Sequence, residues 1–166
     1  MRRAVTKALM LLTLMLGATA ALGSPADDEA AIRKILDSQI AAWNAGDSKA
    51  FARHMSKSVA FTNVFGVVSY GVANFEKRQN AALTSYYKGT TRVMRVRQLR
   101  FATADVAIVD IDNEMHGVTA MPKGITVPAD GIVRTQLMQV FVRHGGQWWV
   151  EAFHNVDVKA SSSPQK

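Results

Sequence analysis

No cysteine occurs in the 166 residues. That excludes disulfides, and it excludes lipid-anchored export, which needs a cysteine at the cleavage point. A domain entering an oxidising compartment must then be held by its hydrophobic core alone. There is no glycine-rich loop of the dinucleotide-binding kind. His116, His144 and His154 show no ligand spacing such as two histidines one helical turn apart. No cofactor and no metal site is therefore expected. No internal repeat or linker is visible, and the length suits one domain. The apolar stretch at residues 8–16 is shorter than the ~20 residues that span a membrane.

What is present begins with a leader. Arg2, Arg3 and Lys7 precede that apolar stretch, and small residues follow it at Ala18-Thr19-Ala20 and Ala21-Leu22-Gly23. This is the layout of a secretory signal peptide, cut after Ala20 or Gly23. Three segments are expected: a signal peptide at 1–23, one domain at 24–158, and a polar, serine-rich disordered tail at 159–166. The expected location is periplasmic or secreted, with no stable membrane anchor after cleavage. Losing three basic residues takes the net charge from +7 to +4. That modest excess is no nucleic-acid signature.

Within the domain, Ile32, Ile35, Leu36, Ile40 and Trp43 recur at steps of three and four, which predicts a helix over 26–45. Asp27, Asp28 and Glu29 suit its N-terminus, and Asn44 and Gly46 its end. Asp47 is placed to cap a short helix at 48–54. Strands at 59–64 and 67–70 flank a turn at Phe65-Gly66, and a third helix is predicted at 72–87. Three long strands at 92–102, 106–116 and 132–144 follow. The last strand, 148–158, is joined by the turn Gly145-Gly146-Gln147. Helices segregated from a strand meander imply an α+β domain.

Trp43-Asn44-Ala45-Gly46-Asp47 at the end of the first helix, the Trp148-led last strand and this order of elements resemble the nuclear transport factor 2-like superfamily. Phe61 to Gly66, followed by Tyr70-Gly71 opening a helix, is similar to its SnoaL-like branch, which resembles polyketide cyclases. The resemblance covers 27–158. It implies a cone-shaped curved antiparallel sheet with three N-terminal helices packed on its concave side, a hydrophobic pocket within, and a homodimer. Its members include isomerases, dehydratases, cyclases, epoxide hydrolases, binding proteins and scaffolds, so a shared fold transfers no reaction.

Relatives of the ketosteroid-isomerase kind use a carboxylate on the early strand. Here that strand offers Phe61, Thr62 and Asn63, and Asn63 cannot take a proton near neutral pH. Where SnoaL-like relatives place a histidine in the third helix, this chain has Gln79. Both departures favour binding over proton transfer. His154 is the remaining candidate base, because simple alternation sets it on the apolar face with Trp148, Val150 and Ala152. Tyr70 or Asn63 would then hold an oxyanion. A neutral core histidine hydrogen-bonded to a neighbour is the plainer reading, and the one favoured. Asp110, Asp112, Glu114 and His116 share one face of their strand, as a solvated outer face or an acid cluster. The opposite face carries Asn113 as a polar pocket group.

Arg92, Arg95, Arg97 and Arg100 crowd the third strand. They suit an anionic ligand or a membrane surface, but their scatter over both faces favours solvent-facing charge that protects an edge. Segment 117–131 is a lid or a solvated loop. The expected function is a secreted domain that binds a small hydrophobic molecule. Trp43, Phe61, Asn63, Tyr70, Gln79, Asn113 and Gln139 are its ligand-binding candidates, with Met138 and Phe141 as possible walls. An isomerase, dehydratase or cyclase using His154, or a dimeric module without ligand, are the alternatives.

Overall fold

The computed structural model describes residues 24–158. The expected leader and tail lie outside the described residues. The first helix, α1, spans Pro25–Asn44. Ser24 accepts a hydrogen bond from the Asp27 backbone at 3.2 Å, and the Asp27 carboxylate accepts from the Ser24 backbone at 3.1 Å. This is a capping box, with Pro25 pre-set for the first turn. The helix buries Ile32, Ile35, Leu36, Gln39 and Trp43 on one side.

Asp47 caps the short α2 (Ser48–Phe51) by accepting from the Ala50 backbone at 2.8 Å. β1 (Met55–Thr62) and β2 (Val68–Tyr70) follow. Helix α2 stops three residues before the predicted end, and β1 starts four residues earlier than predicted, because Met55 and Val59 are both buried core positions. Helix α3 spans Val72–Leu83 and also ends early. There the Thr84 and Ser85 hydroxyls donate to the carbonyls of Asn80 and Ala81, which competes with the helical ladder. Tyr86 and Tyr87 are thereby released into a turn beneath the sheet.

The remaining strands are β3 (Thr91–Thr103), β4 (Val106–His116), β5 (Ile132–His144) and β6 (Gln147–Asp157). The six strands form one sheet in the order β2-β1-β6-β5-β4-β3. Pairing is antiparallel except between β1 and β6, which run parallel. The expected antiparallel sheet is thus corrected to a mixed, unclosed one. The β3–β6 meander is joined by direct links that enforce antiparallel neighbours, but most of the domain separates β1 from β6 and no hairpin sets their direction.

Register shifts leave Arg97 and Ala102 of β3 and Glu151 of β6 as extra residues opposite their partners. Such bulges bend a strand and sharpen its twist. The helices pack on the concave side. The core there joins Ile32 and Leu36 to Val109, Ile111, Leu137, Phe141 and Val150. At one end of the cone Phe51, Phe61, Phe75 and Phe153 form an aromatic cluster with ring centroids 5.1–6.2 Å apart.

Candidate functional site

A cavity of about 170 Å³ lies between α3 and the inner face of the sheet. Trp43, Phe61, Met115 and Phe153 supply apolar wall. Gln79 and Ala82 of α3, Tyr86, Tyr87, Arg92 and Asn155 line it as well, and the exposed Phe65, Arg78 and Ala81 form its rim. Among the described residues no carboxylate and no imidazole lines this cavity. Trp43, Phe61, Asn63 and Gln79, expected from the sequence as ligand contacts, are all brought together here. Gln79 is 6% exposed and makes no hydrogen bond to another described residue, so its amide faces the cavity unpaired. The Asn63 carbonyl is used locally, accepting from the Phe65 and Val67 backbones at 3.0 and 2.9 Å to shape the β1–β2 turn.

The residue the sequence reading misplaced is Arg92. It is 2% exposed, on the inner face at the start of β3. Its guanidinium lies 4.7 Å from the Trp43 ring and 5.2 and 5.8 Å from the rings of Phe51 and Phe153. Its Nε donates to Asn113 Oδ1 at 2.7 Å. Asn113 Nδ2 donates to Thr135 Oγ1 at 2.8 Å, and Thr135 donates to Asn155 Oδ1 at 3.1 Å. This chain runs across four strands, β3 to β6, and fixes the guanidinium plane. No acid among the described residues pairs with it. Burial in this apolar cage pushes its pKa down to about 9, so it stays charged at neutral pH.

Alternation was the sequence clue to its place. Arg92 shares a strand face with Met94 and Val96, which pack against the core, while Arg95 points outward. The Trp-Asn pair of the helix-end motif supports it directly. Trp43 is its floor. The Asn44 side chain accepts from the Arg92 backbone N–H at 2.7 Å and donates to its carbonyl at 3.5 Å. Tyr87 completes the surround. Its hydroxyl is buried without a hydrogen-bond partner, and burial pushes its pKa up to about 12.

Other expected contacts lie elsewhere. Asn113 is buried, but it orients Arg92 and does not line the cavity. Gln139 is fully buried and exchanges two hydrogen bonds with the Gln39 amide, at 2.8 and 3.2 Å, which locks α1 onto β5. Tyr70 is 68% exposed at the end of the edge strand β2. Met138 points outward, and Phe141 sits in the core away from the cavity.

His154 is exposed on the outer face, and its expected inward orientation is corrected. The cause is the bulge at Glu151, which reverses the alternation: Trp148 and Val150 point inward before it, and Phe153 and Asn155 after it. The β4 row also lies on the outer face. Asp112 meets Arg97 at 2.8 Å, and Glu114 meets His116 at 2.9 Å and Arg95 at 3.5 Å. Segment 117–131 contributes no cavity residue. It flanks the rim, where Met121 and Ile125 share a neighbouring groove with Val64 and Phe65.

Helices on a curved, unclosed sheet recur in solved structures. A nuclear transport factor 2-like protein of unknown function from Shewanella oneidensis superposes with a TM-score of 0.63, over 78% of this chain and 99% of that one at 12% identity. The fold is nuclear transport factor 2-like. A ketosteroid isomerase-like protein from Erwinia carotovora atroseptica matches at TM-score 0.63 and 13% identity, over 78% and 95% of the two chains. A domain of unknown function with a cystatin-like fold from Nostoc punctiforme matches at 0.68 and 22%, over 83% and 81%. No family model and no curated protein matches the sequence. These superpositions show the nuclear transport factor 2-like fold, and at such identities they carry no reaction over.

Proposed function

We propose that this chain is an exported small-molecule-binding domain whose ligand occupies the cavity between α3 and the sheet. The observation that carries the reading is a small aromatic-walled space into which Gln79 and Arg92 present unused donors. Apolar walls with a few placed polar groups are the usual make-up of a ligand site. The lining supports binding over proton abstraction. With Asn63 and Gln79 where relatives carry acid–base groups, and Tyr87 held in its protonated form, the cavity offers donors and no base near neutral pH.

The test is to fill the space. Ala82→Phe projects a ring from α3 into the cavity, at a cost of about 1–3 kcal/mol of overpacking or less. Ligand-observed nuclear magnetic resonance against one-ring fragments should show hits on the wild type that vanish in this variant, with its circular dichroism unchanged. Fragments that bind both forms alike place the ligand elsewhere. Export is tested by N-terminal sequencing of the protein recovered outside the cytoplasm, which should begin after Ala20 or Gly23; a start at Met1 refutes it.

A further inference from the structure

Arg92 is a charge the fold itself leaves uncompensated. A buried cation is costly unless it is paired, and the described residues offer it aromatic faces and one amide oxygen but no carboxylate. The cation–π contacts offset part of that cost. Because Asn113 takes Nε, the guanidinium's terminal edge, Nη1 and Nη2, is left without a protein partner, and Arg92 lines the cavity. Two parallel N–H donors on one planar edge match the two oxygens of a carboxylate. Gln79 stands on the same cavity with an amide that no described residue uses. The second charge on the lining, Arg78 at the rim, is also positive.

Size narrows the class further. A dry cavity of ~150 Å³ accommodates benzene, so about 170 Å³ holds one ring or a branched chain of similar bulk. One buried positive charge balances a monoanion. A phosphoryl dianion would bring a second charge that only the solvent-exposed Arg78 at the rim is left to meet.

We propose that the cavity takes a small monocarboxylate, whose carboxylate sits on the Arg92 guanidinium and whose one-ring body rests against Trp43, Phe61 and Phe153. The inference stands on the ligand-binding reading above and names its ligand class.

The experiment is isothermal titration of the purified protein with benzoate and cyclohexanecarboxylate, each against its uncharged amide, and with phenylphosphonate. Each acid should bind about tenfold or more tighter than its amide, as a charge-assisted hydrogen bond predicts. Arg92→Met should erase that preference, and Arg95→Ala, on the outer face of the same strand, should keep it. In the wild type, the guanidinium nitrogen resonance of Arg92 should shift with benzoate and not with benzamide, a readout that does not depend on the variant folding. Amides that bind as tightly as acids, a preference that survives Arg92→Met or disappears in Arg95→Ala, or an unmoved Arg92 resonance would overturn the carboxylate assignment and leave the binding pocket standing. Phenylphosphonate binding tighter than benzoate overturns the monoanion assignment. Failure of every acid and every amide to bind sinks the pocket reading together with it.

Discussion

Arg92 contributes little to stability for a residue so deeply placed. Nothing acidic repays its desolvation among the described residues, so a side chain of similar bulk without the charge should be tolerated. Replacing buried charged groups by apolar ones is often neutral, or stabilising by about 1–4 kcal/mol. Arg92→Met removes that desolvation cost but also leaves Asn113 Oδ1 unpaired, a loss of about 1–3 kcal/mol, so the two offset and the variant is expected to melt close to the wild type by calorimetry. A loss of about 3–5 kcal/mol, the cost of breaking a buried pair, would mean that Arg92 serves the fold. Tyr87 makes a second residue-scale prediction. It should ionise at about 12, because its phenol is desolvated. In a spectrophotometric titration of the three tyrosines, Tyr87→Phe should remove a step at that high pH and leave the earlier absorbance rise intact.

Among elements, the contact between α1 and the sheet is most open to dissection. The Gln39–Gln139 amide pair is the polar bond that joins the middle of α1 to β5. Gln139→Leu strands the Gln39 amide in the core and should cost about 1–3 kcal/mol, whereas adding Gln39→Leu should restore most of it. Chemical denaturation of the single and double variants decides the point, and additive losses would refute the pairing. The end of α1 has a different task. Asn44 grips the first backbone unit of β3, so the helix-end motif is a clamp on the strand that carries Arg92. Periodicity located α1, β4 and β5 well because those elements keep one period throughout. It failed in β6, where one bulge residue reversed the inward face and moved His154 to the outside.

At the scale of the whole molecule, acid should unfold this domain before base does. The carboxylates of Asp27, Asp112, Glu114 and Asp130 are held below their ordinary range, chiefly by hydrogen bonds from Ser24, Gln136, His116 and Arg134 respectively. Groups with depressed carboxyl pKa values stabilise above their unfolded pKa and lose that contribution as pH falls through the folded one. His54 adds to the trend. Burial, then Arg53, lowers its pKa from the ordinary 6.5, so the unfolded chain gains a proton there that the folded one refuses. The thermal midpoint should hold near neutral pH, decline once pH drops below about 6.5, and fall further through the carboxylate range. A midpoint that rises on acidification would contradict these shifts. The outer face carries Val68, Met138 and Val156, which are 49%, 44% and 63% exposed; Val68 and Met138 lie in the sheet row of His154, and Val156 in the row beside it. A second copy on that face is the expected assembly. Sedimentation should show a dimer that Met138→Lys converts to monomer, and a wild-type monomer at every concentration tested would rule it out.

The sequence by itself determined the α+β class, the order of elements, and the aromatic residues Trp43 and Phe61 that wall the cavity. These are properties of local period and residue type, which act within a few positions along the chain. Only the tertiary structure decided which polar groups matter. Whether His154 faces inward depends on the bulge at Glu151, which follows from how β6 comes into register with β5. Whether Asn113 and Gln139 serve a ligand or the frame depends on partners 21 and 100 positions away. Long-range packing settles such pairings, and no stretch of sequence carries them alone.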